Sequence, residues 1–182
     1  MRKLIFRFGA LFKPVLIGVW LMCAASLAVA DNSVIDKIKS VYIYNFISFI
    51  QWPKPKVEIA EYQLCVIADS GLISKLKSVV VNETMNGLPL VVLSLTDKNP
   101  IVGCHLLYVQ GKREIDSTLL SEASMSGTLV IGDAISLTYQ DFGMVGFETR
   151  GRKVRVAVNL TRLQNAGFKV SSKLLRIVRI VR

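Results

Sequence analysis

Residues 62–95, YQLCVIADSGLISKLKSVVVNETMNGLPLVVLSL, decide the class of fold. Tyr62 to Ala68 is apolar at nearly every position and has the length of a strand. Asp69-Ser70-Gly71 interrupts it, Leu72 to Val80 reads as a helix, and Leu88 to Leu95 as a second strand. Strands that are almost continuously apolar, as in Leu90-Val91-Val92-Leu93, belong to a largely parallel sheet covered on both faces.

The same alternation continues outward. His105 to Val109 reads as a strand, Asp116 to Ala123 as a helix and Thr128 to Ile131 as a strand. Met144 to Glu148 and Lys153 to Asn159 form a hairpin through Thr149-Arg150-Gly151-Arg152, so the sheet is mixed. Leu160 to Asn165 reads as a helix before Gly167, and Ser171 to Val181 as a serine-capped terminal helix. On the N-terminal side, Val34 to Ile50 is helical. Val34, Ile38, Val41, Tyr42, Phe46 and Phe49 form one apolar set, and Ile43, Ile47 and Ile50 a second on another side. A helix apolar on more than one face packs between neighbours or under a partner subunit. Trp52-Pro53 ends it, because the residue before proline avoids helical geometry. The expected fold is a single-domain α/β sandwich: a mixed, mostly parallel sheet, helices on both faces, and a C-terminal antiparallel hairpin.

The first thirty residues are read as a separate unit. Arg2, Lys3, Arg7 and Lys13 precede an apolar run from Val15 to Val29, which closes on Ala28-Val29-Ala30. This is the order of a secretory signal, with cleavage expected between Ala30 and Asp31 and the folded domain over 31–182. An uncleaved anchor is the competing reading, but the run is shorter than the ~20 residues a spanning helix needs. Lipidation at Cys23 is disfavoured by Leu21-Met22 before it. The expected compartment is a Gram-negative periplasm. Four of the 23 Lys and Arg and none of the 13 Asp and Glu lie in the signal, so the formal +10 falls to +6 after cleavage. With no nucleic-acid motif in an exported chain, nucleic acid is not expected as a partner.

Cleavage also removes Cys23 and leaves Cys65 and Cys104. An even pair in an oxidising compartment reads as one disulfide, against the alternative of two buried free thiols. His105 is the single histidine and has only Cys104 beside it, too little for a catalytic pair or a zinc set. No glycine-rich phosphate loop follows a strand, and no cofactor, metal or enzymatic activity is expected. Asp69, Ser70 and Gly71 lie where a strand gives way to a helix, the edge at which open α/β sheets bind ligands, with Asp133 placed to share it. The plainer reading is that Asp69 or Ser70 caps the helix. Lys173, Arg176, Arg179 and Arg182 recur every third position, giving a basic side of the terminal helix suited to acidic headgroups or an acidic partner.

Several segments, taken in order, carry a family resemblance. They are Val41-Tyr42-Ile43-Tyr44-Asn45-Phe46 running to Trp52-Pro53, Leu64-Cys65-Val66, Gly103-Cys104-His105, Gly143-Met144-Val145-Gly146-Phe147, Val156-Ala157-Val158-Asn159, and Ala166 through Leu175. The chain resembles the YfiR family of small periplasmic proteins over nearly all of the mature region. The resemblance implies a compact α/β sandwich and a structural disulfide between Cys65 and Cys104. It also implies action by protein contact: the family's namesake binds the periplasmic sensor part of an inner-membrane diguanylate cyclase and holds it inactive, which lowers cyclic-di-GMP and disfavours biofilm. Some members carry a second cysteine pair in the C-terminal half; this sequence has none there, so the resemblance does not extend to redox switching through that pair. Leu160, Leu163 and Phe168 are the candidate partner-contact residues, and Tyr44 and Phe46 a candidate homodimer face. The alternative function is a periplasmic small-ligand-binding protein using the loop at Asp69 to Gly71.

Overall fold

The computed structural model describes residues 32–54, 58–111, 113, 115–133 and 143–181. The signal segment with its Ala30-Asp31 junction lies outside them. Helix α1 covers residues 32–49 and passes into β1 (Ile50–Gln51). Then come β2 (Tyr62–Ile67), α2 (Ser70–Val80), β3 (Thr84–Met85) and β4 (Leu88–Ser94). They are followed by β5 (Leu106–Val109), α3 (Ser117–Met125) and β6 (Leu129–Gly132). The last part holds β7 (Val145–Arg150), β8 (Lys153–Asn159), α4 (Leu160–Asn165), β9 (Lys169–Val170), α5 (Ser172–Leu175) and β10 (Arg179–Val181).

Among the described residues, eight strands form one sheet in the order β10-β8-β7-β6-β5-β2-β4-β3. Strands β4, β2, β5, β6 and β7 are parallel, while β8 runs antiparallel to β7 and β10 parallel to β8. A second, two-stranded sheet pairs Ile50 with Val170 and ties the end of α1 to the C-terminal region. The mixed, mostly parallel α/β architecture read from the sequence is the one observed.

The two-residue period of a strand explains why the central strands are apolar throughout. Leu64, Val66, Leu106, Tyr108, Leu129 and Ile131 point into one apolar layer with Leu72, Leu76 and Val80 of α2 and Ile43, Phe46 and Ile47 of α1. The intervening Cys65, Ile67, Leu107, Val109 and Val130 point into the opposite layer, covered by Leu120 and Ala123 of α3. Each face of the sheet therefore has its own helical cover.

Three local readings need correction. The buried face of α1 is Ile35, Lys39, Ser40, Ile43, Phe46 and Ile47, whereas Val34 and Val41 are 46% and 41% exposed. Two polar residues in the middle of the stripe disguised it. Between α2 and β4 the chain makes a hairpin, β3 with β4, through Asn86 (φ 52) and Gly87 (φ 83). An Asn-Gly pair tolerates two successive left-handed residues, so this signal was legible.

The third correction concerns the C-terminus. The helix expected from Ser171 to Val181 lasts one turn, Ser172–Leu175, with the Ser171 hydroxyl accepting from the Lys173 N–H at 3.2 Å. Residues 179–181 then pair with Ala157, Val158 and Asn159 as an edge strand. Ile177, Val178, Ile180 and Val181 are β-branched, which favours extended backbone wherever a strand edge is offered. Lys173 on α5, Arg176 at its end and Arg179 on β10 thus share no helical face, and Arg182 lies outside the described residues. The basic side of a terminal helix does not exist as such.

Candidate functional site

The ends of the parallel strands present two sites of opposite character. At their C-terminal ends lies a polar cluster, buried at Lys39 and Asp133 and exposed at Asp69 and Arg113. Asp133, just after β6, accepts from Lys39 Nζ of α1 at 2.8 Å and from Gly111 N–H at 3.1 Å through Oδ2, and from the Tyr108 hydroxyl at 2.5 Å through Oδ1. The Lys39 and Asp133 side chains are 7% and 11% exposed, so this is a buried ion pair completed by two further donors. Burial, followed by the charge of Asp133 and the hydrogen bond to it, raises the Tyr108 hydroxyl well above the usual phenol range and keeps it a neutral donor.

Asp36, one turn before Lys39, accepts from Gln110 Nε2 at 3.3 Å, and its Oδ2 lies 3.3 Å from where a Cβ on Gly71 would sit. Its carboxyl is raised by burial against the opposing pull of Lys39 and Lys75. The expected ligand loop belongs to this cluster. The Asp69 carboxylate is held by Arg113 at 2.9 Å and its N–H donates to Gln110 Oε1 at 2.7 Å. Asp69 occupies the N-cap position of α2 without capping it through its side chain. The Asp69 side chain nevertheless remains 75% exposed.

The N-terminal ends of the same strands are open. Cys65 of β2 and Cys104 before β5 form a disulfide with Cα atoms 5.7 Å apart. Gly103 turns the chain into the cystine with φ +79, and a Cβ there would stand 3.2 Å from the Gln63 side chain. His105 follows, its Nδ1 accepting the Gln63 N–H at 3.1 Å, which places the imidazole proton on Nε2. Burial lowers its pKa below the ordinary histidine range, against a smaller opposing effect of Glu61. Its ring meets Tyr62 edge-on at 4.9 Å. In front of these residues opens a cleft of about 1110 Å³, lined also by Trp52, the C-terminal end of α3 and residues of α4. Trp52 packs edge-on against Phe168 at 5.4 Å, while its buried indole N–H has no hydrogen-bond partner among the described residues.

The residues proposed for partner contact separate. Leu163 and Phe168 are 0% and 1% exposed and belong to the core, while Leu160 at the start of α4 is half-buried. Phe46 of the expected dimer face is likewise core, stacked on Phe147 at 6.1 Å. Tyr44 is half-buried, and its hydroxyl donates to Glu83 at 2.6 Å. The bulk of Leu163, Phe168 and Phe46 is what makes them attractive both as anchors and as core, and the core takes them. Exposed apolar residues of the C-terminal segment are Ile177 and Ile180, the latter in register with Val158 of β8.

Sequence reasoning missed Asp36, Lys39, Tyr108, Gln110 and Arg113. A lysine at the spacing of Ile35 and Ile43 was the available signal, since a charge within a buried stripe needs a buried partner. Among the described residues no cluster of three His, Cys, Asp or Glu is placed to hold a metal, and no helix is long and apolar enough to cross a membrane.

Comparison with known proteins gives a family and a remote structural match. The family model described as DUF4154, YfiR/HmsC-like, matches residues 36–179. No curated protein matches. A solved structure, the ABC domain in complex with L-Trp from Streptococcus pneumonia, is 9% identical with a TM-score of 0.46. The match covers 66% of this chain and 55% of that one.

Proposed function

The chain belongs to the YfiR/HmsC-like family, whose members are periplasmic, non-catalytic regulators of cyclic-di-GMP signalling that work with a membrane-bound partner; on that premise we propose that it represses an inner-membrane diguanylate cyclase by binding its periplasmic sensor part. The observation that carries the reading is the family match over residues 36–179. In this reading the signal is cut between Ala30 and Asp31 and residues 31–182 act as one domain. The partner-facing surface in this reading is the region of Leu160, Leu163 and Phe168, where the half-buried Leu160 is open to contact and Leu163 and Phe168 are core.

Deleting the gene should raise cellular cyclic-di-GMP and biofilm. Restoring it with its first thirty residues should reverse the rise, and restoring residues 31–182 without an export signal should not. Unchanged cyclic-di-GMP in a deletion strain that demonstrably expresses the partner cyclase would overturn the proposal.

A further inference from the structure

We infer that a pocket between the outer edge of β8 and the C-terminal segment binds a phosphate group, carried by a small soluble ester or by a lipid headgroup. Strand β8 is paired with β7 from Lys153 to Val158, but β10 covers its other edge only from Ala157 to Asn159. Before that point residues 176–178 run without pairing to β8, and a cavity of about 390 Å³ is lined by them and by residues 154–157. That volume is at the lower end of the range for small-ligand pockets.

The charge of the lining selects the ligand. Arg155, Arg176 and Arg179 all line the pocket, and all three are exposed. Arg179 stands beside Ala157, so Arg155 and Arg179 share one face of the sheet with Cα atoms about 8 Å apart. Among the described residues none of the three guanidinium groups has an ion-pair partner. Glu148, opposite Arg155 in the register, is the acidic member of the lining, and its Oε1 already accepts from Arg150 Nε at 2.8 Å. Even with the whole Glu148 charge set against the three arginines, the lining is positive by two. Guanidinium groups gathered in this way repel one another, and an anion between them removes the repulsion. A carboxylate is satisfied by the fork of one arginine, whereas a phosphate has the charge and the oxygens to engage several. Ile177, 70% exposed and part of the same lining, offers apolar contact to the organic part of the ester. The cations whose spacing suggested a helical face are thus gathered by the sheet edge instead, with Arg155 added from β8.

Amide NMR spectra of the processed protein, recorded at constant ionic strength, follow titrations with glycerol phosphate and with glycerate, its carboxylate counterpart. Glycerol phosphate should give saturable shifts at residues 154–157 and 176–179 and bind at least about tenfold more tightly than glycerate. Arg155→Gln and Arg179→Gln should each weaken it about tenfold, the loss of a hydrogen bond to a charged acceptor. Both side chains are exposed, so both variants should melt like the wild type, and Arg176→Gln replaces either one that does not. The lipid source is tested by sedimentation with phosphatidylcholine vesicles, with and without phosphatidic acid. Capture by the acidic vesicles should be lost when Arg155 and Arg179 are both changed to Gln. It should persist when Lys77→Gln and Lys98→Gln remove the same charge elsewhere on the surface. Saturable binding in either arm supports the site and names its source. Equal binding of glycerate, capture lost equally in both double variants, or failure of both arms overturns the assignment. The cyclase experiment and these measurements are independent, and either can fail alone.

Discussion

A histidine that is neutral in the fold leaves a trace in the pH dependence of stability. Burial holds the His105 pKa below the ordinary value, and the Gln63 N–H bond to Nδ1 requires the unprotonated ring. Below about pH 6.5 the unfolded chain takes up a proton that the folded chain refuses, so the stability from this residue is complete above that pH. It is lost as pH falls toward the lowered folded value. Urea midpoints of the wild type should therefore decline from pH 7 to pH 5 more steeply than those of His105→Phe, and parallel declines would exclude the effect. The position of His105 at the start of a strand was legible. Its half-burial and its bond to Gln63 were not, since both depend on β2 and β5 lying side by side although about forty residues separate them.

At the scale of elements, α1 is fixed to the sheet in two ways. Its C-terminal half contributes Ile43, Phe46 and Ile47 to the core, and its N-terminal half is held by Asp36 and Lys39. Replacing Lys39 by Met keeps the volume but leaves Asp133 with only Tyr108 and Gly111. The expected loss is about 3–5 kcal/mol in urea unfolding. The double variant Lys39→Met, Asp133→Asn should recover a substantial part of it, because the uncompensated charge is gone. Additive losses would show that the two residues act separately. The existence and type of most elements were readable because periods of two and 3.6 are local properties. The end of the chain was not. A serine cap and evenly spaced cations describe a helix, yet the open edge of β8 draws the β-branched residues into a strand. For the candidate site, sequence supplied Cys65, Cys104 and His105 but neither the cleft in front of them nor Trp52 as its wall.

For the whole molecule, the disulfide joins two parallel neighbours at the centre of the sheet across a sequence separation of 39 residues. Cys65→Ser together with Cys104→Ser should lower stability by up to about 4 kcal/mol, the chain-entropy limit for a loop of this size. Thermal melts of the double variant against the oxidised wild type measure it, and equal melting temperatures would mean that the cystine contributes nothing to the fold. The order of the strands carries a different consequence. Strand β8, with Val156, Ala157 and Val158 buried, is covered on its outer side by β10. A chain delivered from its N-terminus completes β8 about twenty residues before residues 179–181 arrive. During that interval one row of backbone N–H and C=O groups on an apolar strand stands without its neighbour, the situation that invites pairing between separate chains. The three-residue strand that arrives last closes the period in which neighbouring copies could join edge to edge.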